Sequence, residues 1–153
     1  MLTNSNYQLI VGKWTLQRQR VVFHIDSTQT MDSTYTPSID NRVDIQFNPD
    51  NSFVNIKYYP IGGGNTGEGG LTGLYGFSGS AFSMTSRGIQ GLRSGDPEFA
   101  DDAMGNLGTP VLLAYSINVN QLTINELDIE IVYTYSYNYA QHFKAESYYY
   151  FSK

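Results

Sequence analysis

The chain has 153 residues, a formal net charge of −5 and a sequence pI near 4.8. An acidic chain without a run of Lys or Arg argues against a nucleic acid or an anionic membrane surface as its partner. Its lack of cysteine excludes disulfides, thiol nucleophiles and cysteine-ligated zinc, and no apolar run approaches the roughly 20 residues of a transmembrane helix.

Tyrosine and uncharged polar residues supply most of the polar groups of this sequence. Charged residues make up 15% of the chain, below the roughly 25% typical of soluble domains, and 13 tyrosines favour strands over helices. Residues 1–11 show neither a basic region nor a long apolar run, so no signal peptide is visible. Either the protein is cytoplasmic or this is the mature form of an exported protein, and the composition favours the second interpretation.

The first predicted strand covers residues 9–25 and contains a bend. Its apolar phase changes from Trp14 and Leu16 to Val21 and Phe23, which predicts a β-bulge near residues 17–20. Residues 28–37 are polar and are interpreted as a loop.

The next predicted unit is a hairpin. Alternation over residues 43–47 ends in Asn-Pro-Asp-Asn at 48–51, a strong turn sequence, and residues 52–59 return as the antiparallel partner. Residues 60–70 (PIGGGNTGEGG) formally contain a Gly-x-Gly-x-x-Gly motif. No helix follows it, so a dinucleotide site is not indicated, and we interpret the segment as a flexible loop.

A second hairpin and a crossover follow. Residues 73–77 and 81–85 flank Ser-Gly-Ser at 78–80, which predicts a tight turn. Residues 87–110 lack alternation. Within them, Asp96-Pro97 is typical of a helix start and Gly105 of its end, so a short helix is predicted to run to about Met104.

The C-terminal third alternates again. Residues 111–117 form a predicted strand, 118–120 a turn, and Leu122 and Ile124 continue the pattern. Every second residue from Ile129 to Tyr139 is then Ile or Tyr, so those side chains share one face of a strand. A last strand alternates over residues 143–151.

Together these segments predict an all-β domain spanning residues 1–153. Eight strands in sequential hairpins, with one short helix in a long crossover, favour an eight-stranded up-and-down antiparallel barrel. Such a barrel encloses room for side chains or one small ligand. A two-sheet sandwich is the alternative, and it is less favoured because hairpin order needs no long Greek-key connection.

Several short motifs resemble the lipocalin-like (calycin-type) domains of bacterial secreted proteins and lipoproteins. The chain lacks the Thr-Asp-Tyr loop motif and the C-terminal Arg of better-known lipocalins. The matching motifs are Gly12-Lys13-Trp14, the Phe-x-x-Asp-x-x-Phe hairpin at 47–53, Gly73-Leu74-Tyr75 with Gly79, Tyr115-Ser116-Ile117 with Leu122-Thr123-Ile124, and the terminal YYYFSK.

This resemblance implies a lipocalin-like barrel in which Gly12 and Trp14 form a structural plug at the bottom. It also implies an extracytoplasmic protein, periplasmic or at the cell surface. The family's members are often lipoproteins held to the membrane through a lipidated N-terminal Cys, so the expected membrane contact is through such an anchor only.

The tyrosine face allows three interpretations: an ordinary core, the wall of a ligand cavity, or an exposed contact patch. Several buried hydroxyls are awkward in a dry core, because each needs a hydrogen-bond partner. The leading hypothesis is therefore non-enzymatic binding of a small, partly apolar molecule without a cofactor, and Tyr137 and Tyr139 are expected at the rim. The predicted wall residues are Phe47, Tyr75, Tyr115, Tyr133 and Tyr135.

Two other classes of function stay open. A filled barrel could act as an interaction module for a protein or a glycan. An enzyme would require His24 or His142 to lie in a pocket within hydrogen-bond reach of a carboxylate; otherwise both histidines are expected at the surface. The acids between Asp96 and Asp102 match no calcium loop, so no metal site is predicted. No catalytic residue is predicted either.

Overall fold

A computed structural model describes residues 5–85, 89–92, 111–137 and 141–153. Within these ranges one short helix, α1 (Ser5–Ile10), precedes nine strands, and a 3-10 turn at Ile39–Asn41 precedes the third strand. The strands are β1 (Gly12–Ile25), β2 (Thr28–Tyr35), β3 (Val43–Phe47), β4 (Ser52–Gly62), β5 (Asn65–Ser78), β6 (Ala81–Met84), β7 (Val111–Leu122), β8 (Glu126–Tyr137) and β9 (Gln141–Ser152).

The strands form a nearly closed antiparallel barrel. The sheet order is β6-β5-β4-β3-β1-β9-β8-β7, and β2 pairs with β1 outside this path. The first strand therefore pairs with the last, while β6 and β7 lie in contact at the remaining seam without a ladder between their described residues. The predicted all-β class and eight-stranded antiparallel barrel are confirmed.

β1 has two neighbours on one edge because it bends. Its register with β9 shifts between Leu16 and Arg18, so Gln17 is the extra residue of a β-bulge, as the change of apolar phase predicts. Residues 12–15 pair with β3, whereas residues 19–25 pair with β2. We call the end of the barrel at Trp14 the lower end, and the end at the β1–β2 turn the upper end.

Two predicted turns are confirmed, with local hydrogen bonds that explain them. Asn51 has a φ of 65°, and Asp50 Oδ1 accepts hydrogen bonds from the amide and hydroxyl of Ser52 at 3.0 and 2.6 Å. Burial of the inner side chains and the left-handed conformation of Asn51 together fix the hairpin between β3 and β4. In the β5–β6 hairpin, Gly79 has a φ of 63° and permits the tight turn.

Four predicted boundaries are wrong. Residues 5–10 form α1, so β1 begins at Gly12 and not near residue 9. Residues 28–37 are largely strand β2, because the upper half of β1 needs a partner once β3 ends. The predicted turn at 118–120 lies inside β7, since Val119 pairs with Ile129 and the chain turns at residues 123–125.

The fourth error concerns the glycine-rich segment 60–70. Most of it continues β4 and β5 as a paired hairpin, with Tyr58 opposite Glu68 and Gly62 opposite Asn65. Only Gly63 and Gly64, with φ values of 61° and 77°, form the tip. The predicted helix at 96–104 and Tyr139 lie outside the described residues.

Candidate functional site

The inner wall of the barrel is built by the period-two pattern of β8 and β9. Ile129, Ile131, Tyr133 and Tyr135 are all buried, whereas the residues between them are half-buried on the outer face. The inner positions of β9 run Phe143, Ala145, Ser147, Tyr149 and Phe151, and all five are buried.

The five predicted wall residues lie at three places. Phe47 and Tyr75 are buried at the lower end, with ring centroids 4.9 Å apart, and Tyr75 donates its hydroxyl to Asn48 O at 2.8 Å. Tyr133 and Tyr135 are buried towards the upper end, with ring centroids 6.2 Å apart. Tyr115 lies on the seam strand β7 and is 39% exposed.

The position of Tyr115 follows from register and from the seam. It pairs directly with Tyr133, and directly opposed residues of antiparallel strands point to the same face. Tyr115 thus belongs to the inner face, yet it is 39% exposed; among the described residues, the four-residue strand β6 lies beside β7 at the seam. Tyr115 is therefore a partly exposed residue beside the tyrosine wall.

Trp14 and Gly12 lie together at the lower end. The Trp14 side chain is fully buried, its Nε1 donates to Ile10 O at 2.7 Å, and Lys153 Nζ lies 4.6 Å from the ring centroid. Gly12 has a φ of 128°, which disfavours any residue with a Cβ. These contacts join α1, β1 and the C-terminal residue at one end of the barrel.

Residues 89–92 run through the interior and were not anticipated from the sequence. Ile89 is 3% exposed, the amide of Gln90 donates to Asn55 Oδ1 at 2.5 Å, and the Tyr149 hydroxyl donates to Ile89 O at 3.3 Å. A Cβ on Gly91 would lie 2.6 Å from Tyr149 Cε1. Part of the barrel is therefore filled by its own chain.

Glycines on the inner face of β5 make room for neighbouring side chains. A Cβ on Gly67 would lie 2.6 Å from Tyr59 Cε2, and one on Gly73 would lie 2.5 Å from Thr85 Oγ1. Gly69 lies between them and faces Gln90. In the sequence these glycines, at 67, 69 and 73, are separated by multiples of two residues, which places them on one face of a strand.

Two buried polar atoms have no hydrogen-bond partner among the described residues: Ser147 Oγ and Gln90 Oε1. Ser147 is fully buried, and its cross-strand neighbours Val21 and Ile131 are fully buried apolar residues. An unpaired buried hydroxyl costs about 1–3 kcal/mol. Each atom marks a place where a polar guest or a water molecule would be stabilised.

An open pocket of about 620 Å³ lies at the upper end, and its lining includes Phe143 of the inner wall. His24 lines it, and His24 Nε2 lies 3.4 Å from Glu146 Oε2. Glu146 also receives hydrogen bonds from Lys144 Nζ and, at 3.2 Å, from the Tyr148 hydroxyl. His24 thus meets the geometric condition set for a histidine-based site, while His142 lies exposed at the same pocket.

The contacts of Glu146 change its acidity. Burial, the largest single effect, raises the pKa of Glu146, but the hydrogen bonds and charges of Lys144 and His24 together outweigh it, so the net pKa lies below its ordinary value of 4.5. The neighbouring carboxylates act on Tyr148 in the other direction. Its burial, with Glu146 and Glu130 nearby, raises the pKa of Tyr148 to about 12.

We expect Glu146 to contribute stability that depends on pH. Because its folded-state pKa is lowered, the contribution is complete above the unfolded-state pKa of about 4.5 and disappears as the pH falls through the lower folded-state value. The difference in free energy of unfolding between wild type and Glu146→Gln, measured by urea titration, should therefore shrink on acidification. Glu68→Gln, an exposed carboxylate on β5, is the control, and a widening gap for Glu146→Gln would contradict the prediction.

A second pocket, of about 480 Å³, lies at the lower end. The Arg18 guanidinium lies 4.0 Å from the Tyr150 ring centroid, a cation–π arrangement. Burial, followed by the charge of Glu126, raises the pKa of Asp128, whereas Arg18 lowers it. These contacts order the outer face but include none of the predicted wall residues.

Two absences in the described ranges concern metal binding and membrane spanning. Those ranges contain no group of three or more His, Asp or Glu side chains arranged to hold a metal ion. They also contain no helix long and apolar enough to span a bilayer. The acids between Asp96 and Asp102 lie outside the described residues.

The fold defines the chain as a nearly closed antiparallel β-barrel. No family model matches the sequence, and no curated protein matches it either. A solved structure from Nostoc punctiforme, of a DUF3598-family protein of unknown function, is similar with a TM-score of 0.37 and 10% identity. The alignment covers 96% of this chain and 48% of that one, so the chain spans about half the length of that protein.

Proposed function

We propose that the barrel is a non-enzymatic, lipocalin-like binding protein that holds a small, partly apolar molecule inside. The unpartnered, fully buried hydroxyl of Ser147 is the observation that carries this proposal. A guest that offers one hydrogen-bonding group to Ser147 removes the cost of that unpaired hydroxyl. The rest of the guest would contact the apolar neighbours Val21 and Ile131.

The surroundings of Ser147 support a guest of this polarity. The next inner residue of β9 is Ala145, so two small side chains adjoin on a wall otherwise made of large ones. Tyr133 pairs directly with Ala145 and brings an aromatic ring beside this small-residue stretch. Ligand sites combine such apolar walls with a few polar anchors.

Tyr115 supports an entry route at the seam. It is partly exposed, it lies opposite Tyr133, and Tyr133 lies opposite Ala145. These three residues lie side by side across β7, β8 and β9 on the inner face. A ligand entering at the seam would pass from one aromatic ring to the next.

The composition supports a location outside the cytoplasm, with few charges and abundant Tyr, Asn, Ser and Thr. We propose binding as the activity and not catalysis. The contact between His24 and Glu146 lies on the outer face, away from the inner wall, and no thiol nucleophile exists in the sequence.

A second candidate is an interaction module built on a filled barrel, which could bind a protein or a glycan. The passage of residues 89–92 through the interior favours it, because chain that occupies the barrel takes space from a ligand. The two candidates differ in whether the interior accepts a guest.

The test uses Ser147→Ala with Ser116→Ala as its matched control, since Ser116 is exposed on the outer face of β7. We expect native mass spectrometry to detect a co-purified molecule and an apolar fluorophore to bind saturably. The affinity of a ligand with a hydrogen-bonding group should fall about three- to tenfold in Ser147→Ala, the worth of one hydrogen bond. It should not change in Ser116→Ala.

Stability provides a second readout. Ser147→Ala removes an unpaired hydroxyl, so the free energy of unfolding of the ligand-free protein should stay equal or rise. The absence of any co-purified species together with the absence of saturable fluorophore binding would overturn the cavity proposal and favour the interaction module.

A further inference from the structure

The pocket at the upper end combines three nitrogen bases with two hydroxyl groups. It forms where the β1–β2 turn, at Asp26 and Ser27, meets the first residues of β9. His24, His142 and Lys144 line it, and the hydroxyls of Ser27 and Thr134 lie alongside. We call it the His24–Lys144 pocket.

Glu146 does not line the pocket but holds two of these bases in place. Its side chain is only 15% exposed, and it accepts hydrogen bonds from Lys144 Nζ and His24 Nε2. An ammonium has three N–H donors and an imidazolium two. After one bond each to Glu146, both groups keep donors for a further acceptor, and the shared carboxylate limits the positions those donors take.

The other side of the pocket is held by the backbone. The amide of His142 donates to Asp26 Oδ1 at 3.0 Å, and the amide of Asp26 donates to His142 O at 2.9 Å. These bonds join the β1–β2 turn to β9 and place the exposed His142 ring at the rim. Asp26 is thereby partly engaged by a backbone donor.

The charge balance of the pocket depends on protonation of the imidazoles. The titratable groups that line it are His24 and Asp26 on β1 and its turn, and His142 and Lys144 on β9, while β8 contributes the neutral Thr134. Glu146 adds a second carboxylate through its contacts with His24 and Lys144. With both imidazoles protonated, three cations face two carboxylates; with both neutral, one cation faces two. Imidazoles ordinarily change charge between about pH 5 and 8.

We propose that the His24–Lys144 pocket binds the carboxylate or phosphate group of a small ligand when the histidines are protonated. Oxygen anions accept charge-assisted hydrogen bonds from Lys and imidazolium donors, which are stronger than neutral ones. Protonation of both histidines changes the formal net charge from −5 to −3, so the rest of the protein still repels anions and binding should concentrate at this local positive site. The anion-binding groups His24 and Lys144 lie outside the inner wall, because they pair with each other on the outer face, although Phe143 of that wall also lines the pocket.

The experiment titrates inorganic phosphate, and in a second arm acetate, into the full chain while the histidine C–H signals are followed by NMR. The chain has only two histidines, so the variant His142→Gln identifies the His24 signal. We expect a saturable shift of that signal at about pH 6, and binding about tenfold weaker or more at about pH 8. Phosphate gains negative charge over this interval, so the weakening must come from the protein.

Two matched variants, each of which removes one lysine charge, test whether the anion binds in this pocket. Lys144→Gln should weaken anion binding about tenfold, the scale of a charge-assisted hydrogen bond. Lys13→Gln removes the same charge from an exposed lysine at the lower end and should leave binding unchanged. A response to one anion alone identifies the group recognised. No saturable shift, or equal losses in both lysine variants, would overturn the proposal, and circular dichroism verifies that each variant is folded.

Discussion

Replacing Trp14 with alanine is expected to lower the free energy of unfolding by about 3–5 kcal/mol, the range for large aromatic truncations in a core. Trp14 is fully buried, and it is the residue on which α1, β1 and the C-terminal Lys153 converge. The truncation would leave a cavity at the lower end and would leave Ile10 O without the indole donor. We expect loosening of α1 to accompany the loss.

The measurement is urea unfolding followed by circular dichroism, because removal of the only tryptophan also removes its fluorescence. Trp14→Phe keeps most of the apolar volume but loses the N–H donor, so it should cost less than the alanine variant. Lys153→Met keeps an apolar chain over the ring but removes the cation, a contact worth about 0.5–1 kcal/mol, together with its exposed hydrogen bond to Leu9 O at 3.1 Å. A loss below 1 kcal/mol for Trp14→Ala would show that the lower end does not depend on this side chain.

The parts of the fold that could be predicted from sequence are those set by local chemistry. The hairpin at residues 43–59 has clean alternation on β3 and a strong turn after it, so its register follows from neighbouring residues although β4 alternates less regularly. The bulge of β1 was likewise visible, because an extra residue reverses the apolar phase along the chain.

The parts that were missed depend on residues distant in sequence. β2 (TQTMDSTY) has little apolar alternation of its own and forms because the upper half of β1 lacks a partner. The glycine-rich sequence of β5 is typical of a loop. Its strand conformation becomes clear only from the side chains that occupy the space beside the glycines, Tyr59 at Gly67 and Thr85 at Gly73. In both cases tertiary contact outweighs local propensity.

The candidate sites show the same division. Burial of Tyr133 and Tyr135 follows from the period-two pattern, whereas the partial exposure of Tyr115 goes with its place on the seam strand β7. His24 and Glu146 are 122 residues apart in the chain and meet only through the pairing of β1 with β9. No local motif could have placed them in one pocket.

The packing of residues 89–92 leads to the last prediction. Gly91 lies against Tyr149 and Gln19, and a Cβ there would come within 2.6 Å of the ring and 2.7 Å of Gln19 Oε1. Gly91→Val is expected to lower the free energy of unfolding by about 1–3 kcal/mol through overpacking. The control is Gly70→Val, because the nearest atom to a Cβ at Gly70 is Asn55 O at 3.9 Å and valine suits a strand.

Fluorophore binding by the same pair of variants separates a hollow barrel from a filled one. Valine at position 91 pushes the inner segment away from Tyr149, and the contact between the Tyr149 hydroxyl and Ile89 O is lost with it. If that segment limits the interior, Gly91→Val should bind an apolar fluorophore more strongly than wild type while Gly70→Val binds as wild type does. If the ligand instead packs against residues 89–92, Gly91→Val should bind more weakly. Equal stability of the two variants would contradict the interior position of the segment, since only a packed Gly91 distinguishes them.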